Sequence, residues 1–217
     1  MKLIGYDSST LTALFLTSRM GQGQLPAARA IGELMKRYSF ASGPTNIQQL
    51  EASKIELRQG VFNDTGIESL SIYSDGVIIT SKSSTEVLDA FLVDAFEWLD
   101  SAFGLKLVES HTINRAYESN VLVHSDAKLL KALEAYTAVQ ELLTKHVKAA
   151  MGLDVSFAPA GLSFAADHSL IAGMKPEAFR LERKVGLAFD TNYYVSRAPT
   201  RTPDHLSILE TLEKLVS

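Results

Sequence analysis

Six residues able to bind or transfer charge, Tyr193, Tyr194, Arg197, Arg201, Asp204 and His205, fall within thirteen positions and lead into a segment that reads as a helix start. Free backbone N–H groups at a helix start attract anions, and guanidinium groups beside them add directed charge-assisted hydrogen bonds. The chemistry this points to is binding of a small anion or of a partner's acidic surface, with Arg183, Tyr194, Arg197, Arg201 and His205 as the contact residues. A plainer reading uses the same residues. Thr202-Pro203-Asp204 is accounted for by capping and by the helix dipole, and Asp204 can occupy the amide site itself, leaving the arginines solvated.

Other reactive groups form no linear signature. The five histidines, His111, His124, His146, His168 and His205, include no pair at the i, i+3 or i, i+4 spacing that sets two metal ligands on one helical face. His124 near Asp126, His168 beside Asp167 and Asp204 beside His205 read as loop or cap polarity. Cysteine is absent, which excludes thiolate zinc sites, iron–sulfur clusters, disulfides and a cysteine nucleophile. Gly21-Gln22-Gly23 is followed by no Gly-Lys-Ser/Thr, and no Gly-x-Ser-x-Gly elbow occurs. No catalytic residue, metal or cofactor is assigned.

The elements that must hold these residues are legible from periodicity. Leu25 to about Tyr38 reads as a helix with Pro26 near its first turn and Lys36 and Arg37 in its last, followed by a loop over 41–46. Ile55, Leu57 and Val61 alternate with Glu56, Arg58 and Gly60 as a half-buried strand over 54–62. A hairpin turn at Ser74-Asp75-Gly76 joins a strand through Leu70 and Ile72 to one through Val77 and Ile79, with Gly76 taken to supply positive φ.

Ser83 and Glu86 form a capping-box pattern ahead of a helix reaching about Phe103. Its buried half is expected to carry Leu88, Phe91, Leu92, Ala95, Phe96, Trp98, Leu99, Ala102 and Phe103. Glu86, Asp89, Asp94, Glu97 and Asp100 make an all-acidic outer half. Two short strands, 105–108 and 121–123, are predicted around a polar loop over 114–120.

Ser125 or Asp126 caps the longest predicted helix, 127–150, closed by Gly152. Leu129, Leu133, Tyr136, Gln140, Leu143 and Val147 give it a heptad-like stripe, read either as a face packed on the sheet or as a self-association seam. Beyond it, 155–164 reads as strand, turn and strand. Phe179, Leu181, Val185, Leu187 and Phe189 read as one long alternating strand with Arg183 intruding on its apolar side. Asp190-Thr191-Asn192 turns into a strand over 193–196, and Thr202 opens a last helix with Leu206, Leu209, Leu212 and Leu215 or Val216 buried.

Together these elements predict an α+β fold, an antiparallel or mixed sheet built from hairpins with about four helices packed on it. They are placed in one domain over 1–217 or in lobes 1–125 and 126–217, a possible degenerate repeat of hairpin plus helix. A chain that is 46% hydrophobic and 21% charged can bury a sizeable core. Its net charge of −4 gives no general attraction to phosphate backbones, so no nucleic acid is expected, and no apolar run approaches a membrane span. Tyr6 to Ser9 interrupt any signal-peptide pattern, so the expected compartment is the cytoplasm.

The functional expectation is a non-enzymatic assembly or protein-interaction component, self-associating as a homodimer or binding a protein partner. The alternative is an enzyme or sensor for a small anionic ligand that uses the loop from Arg197 to His205.

Overall fold

The computed structural model describes residues 1–15, 27–46, 53–104 and 114–217. Among them, an eight-stranded antiparallel sheet and four α-helices form the expected α+β fold. The strands are β1 Lys2–Leu14, β2 Lys54–Phe62, β3 Thr65–Tyr73, β4 Gly76–Ser81, β5 Asn114–His124, β6 Gly161–Phe164, β7 Phe179–Arg183 and β8 Tyr193–Ala198. The helices are α1 Ala27–Arg37, α2 Thr85–Phe103, α3 Thr137–Met151 and α4 Thr202–Val216. Strand order is β2-β3-β4-β1-β5-β8-β7-β6. Gly21-Gln22-Gly23, His111 and the strand predicted over 105–108 lie outside the described residues.

The chain divides into two compact units, each described by itself. One comprises Met1–Gly5, Val121–Arg197 and Pro203–Ser217, the other Tyr6–Asn120 and Ala198–Thr202.

In the second unit α1 and α2 lie over the β1–β4 sheet around Leu11, Leu57, Ile67, Ile79, Leu88, Phe91 and Leu92, all essentially inaccessible to solvent. Tyr38, Phe62 and Phe91 pack edge to face at centroid distances of 4.7–6.2 Å. β2 turns into β3 through Asn63 and Asp64, both at positive φ, residue types that tolerate the left-handed region. β3 turns into β4 through Ser74 and Asp75, as expected, but Gly76 serves a different purpose there. A Cβ on Gly76 would stand 2.5 Å from the carbonyl oxygen of Ala13, so the glycine permits close approach of β1.

Several expectations for this unit are corrected. Val61 is exposed and Gly60 buried, because Gln59 at φ 57° turns the strand over and reverses its parity. The capping box is not formed: Ser84 is the N-cap, Ser83 bonds Ser81, and Glu86 accepts from Thr85 Oγ1. Ala102 is exposed while Leu99 and Trp98 are half-buried, since the core ends one turn before α2 does. The polar stretch 114–120 is strand, not loop. Its small hydroxyl Ser119 is buried against Thr202, which satisfies a polar side chain at a core position.

In the first unit Val121, Val123, Leu129, Leu130, Phe179, Leu181, Tyr194, His205 and Leu209 are buried. Ser125 Oγ accepts from the amide of Ala127, as a cap does, but the next element is a 3-10 helix over Lys131–Tyr136, and α3 begins only at Thr137. Gly152 ends α3 at φ 68°, a conformation glycine adopts without a Cβ penalty. Val155 and Phe157 are not in a strand. The long strand expected over 179–189 stops at Arg183, where Gly186 at φ 83° turns a loop that leaves Val185, Leu187 and Phe189 exposed. On α4 the buried stripe runs through Thr202, His205 and Leu209, and Leu215 is exposed.

Candidate interaction surface

The structure does not gather the predicted anion-site residues into one cluster. Arg183 donates from Nε to the carbonyl of Pro159 at 3.0 Å and from Nη1 to that of Phe189 at 2.6 Å, and its guanidinium lies over the Phe189 ring. It therefore ties two loops together, which explains a charged residue on an apolar strand face. Tyr194 is fully buried and donates its hydroxyl hydrogen to Asn192 Oδ1. Arg197 stands in register opposite Arg180. His205 is also fully buried, with Nε2 2.8 Å from Ser196 Oγ. Because Ser196 gives its own hydrogen to the carbonyl of Arg180, His205 Nε2–H is the donor in that pair. A serine committed in this way, at a site closed to solvent, is a packing element.

Arg201 belongs to the other unit and meets a carboxylate. Its Nη2 donates to Asp89 Oδ2 at 2.7 Å and to the Tyr117 hydroxyl at 3.0 Å, with the guanidinium over the Tyr117 ring. Arg115 and Tyr117 also donate to Asp89. A second carboxylate of the same helix, Asp94, receives Arg37 and Tyr38. The acidic face of α2 is thus partly neutralised in place, and Asp89 is mostly buried instead of exposed. Sequence inspection finds no base among these acids because their partners come from α1, β5 and the segment before α4. Among the described residues no group of three or more His, Asp or Glu is placed to hold a metal ion.

A different feature distinguishes the first unit. From residue 136 to 190 only Phe179 and Leu181 are buried. Of the nineteen large hydrophobic residues exposed among the described residues, fourteen lie in this stretch, including Leu142, Leu143, Met151, Phe164, Leu170 and Val185. Half-exposed side chains of this size leave roughly 50 Å² each, on the order of 700 Å² summed along the stretch.

No protein-family model matches the chain, and no curated protein matches it significantly.

α3 sets out this surface most clearly. At ~100° per residue its fifteen positions fall into three sectors. Gln140, Thr144 and Val147 are half-buried, and Thr144 Oγ1 accepts from the amide of Phe157, so this sector faces the chain that follows the helix. Glu141, Lys145 and Lys148 form a charged sector, with Lys148 paired to Asp154. The remaining ~140° carries Ala138, Val139, Leu142, Leu143, His146, Ala149 and Ala150, all exposed and none of them Asp, Glu, Lys or Arg. The predicted heptad stripe is accordingly split. Leu129 is core, Leu133, Gln140 and Val147 turn inward, and the free seam runs through the neighbouring positions 139, 142, 143, 146 and 150.

Proposed function

We propose that this protein is a non-enzymatic assembly component that associates with copies of itself through the 136–189 stretch. The observation that carries this reading is a segment of more than fifty residues that buries two side chains and exposes fourteen large apolar ones.

The reading is consistent with where the polar groups go. Arg201 is engaged with Asp89, Arg183 with loop carbonyls and His205 with Ser196.

Hydroxyl-radical footprinting of the full chain at micromolar concentration tests it. Met151 and Met174, exposed in the single chain, are predicted to be oxidised many-fold more slowly than methionines of the unfolded protein. Oxidation of both at the unfolded rate would overturn the proposal.

A further inference from the structure

We draw no further inference here: the strongest candidate, the exposed uncharged face of α3 through Val139, Leu142, Leu143 and His146, carries nothing beyond the self-association reading because nothing in the structure shows what covers it.

Discussion

Thr85 and Thr202, the first residues of α2 and α4, exchange hydrogen bonds: the Thr202 amide donates to Thr85 Oγ1 at 2.8 Å and the Thr85 amide donates to Thr202 Oγ1 at 3.1 Å. Each residue satisfies a backbone donor of the other, and both are buried. Two positions 117 residues apart in sequence thereby share one closed polar contact.

Thr85→Val keeps the shape and removes the hydroxyl, leaving the Thr202 amide buried without that acceptor. Denaturant unfolding is expected to show a loss of about 1–3 kcal/mol for Thr85→Val or Thr202→Val. The double variant should cost less than the sum, because one exchange is lost in both, and Thr85→Ser should recover much of the stability. Strict additivity of the two single losses would show that the threonines act independently.

Asp89 is the shared acceptor of Arg115, Tyr117 and Arg201 and is far less exposed than Arg201. Asp89→Ala leaves two guanidinium groups and a hydroxyl without that carboxylate, so a loss of about 2–4 kcal/mol is expected, against about 1 kcal/mol or less for Arg201→Ala. Chemical denaturation of both variants checks the ranking, and equal losses would contradict it.

Asp94 and Tyr38 give the second unit a stability plateau in pH. Burial alone would raise the Asp94 carboxyl, but hydrogen bonds from Tyr38 and Arg37 outweigh it and hold the carboxyl below its ordinary value of 3.8. Burial, reinforced by the hydrogen bond to Asp94, raises the Tyr38 phenol above its ordinary 10.0. A depressed carboxyl contributes stability that is present above 3.8 and lost as pH falls below it; a raised phenol contributes stability that is present below 10.0 and lost as pH rises beyond it. Thermal unfolding across pH should therefore decline at both ends, and Tyr38→Phe should flatten the alkaline decline. An unchanged alkaline limb in that variant would contradict this account.

Leu88 is fully buried and Leu99 is half-buried, so Leu88→Ala should cost about 2–5 kcal/mol and Leu99→Ala roughly half as much. A larger loss at Leu99 would mean that the last turns of α2 are covered.

How much of the fold is legible in the sequence depends on the range of each interaction. The limits of β2, the turn at Ser74-Asp75 and the positions of α1, α2 and α4 rest on periodicity and turn chemistry, which act over a few residues. Parity past Gln59 and the end of β7 before Gly186 depend on single positive-φ residues, which periodicity does not register. The role of Gly76 depends on a strand far away in the chain, and the partners of Asp89 and Asp94 are likewise widely separated from them in sequence. For the candidate surface, the apolar spacing of 129–147 is visible as a heptad-like stripe. Which side of that helix is free is not, because it depends on where residue 157 returns to Thr144.

The central claim, that exposed apolar surface over 136–189 is buried against a second copy, is tested most directly by the solution mass of the full chain. Light scattering from low to high micromolar concentration should give twice 23.7 kDa, reverting towards 23.7 kDa when Leu142 and Leu143 are both replaced by Glu. A mass of 23.7 kDa for the unmodified chain over the whole range would contradict the account.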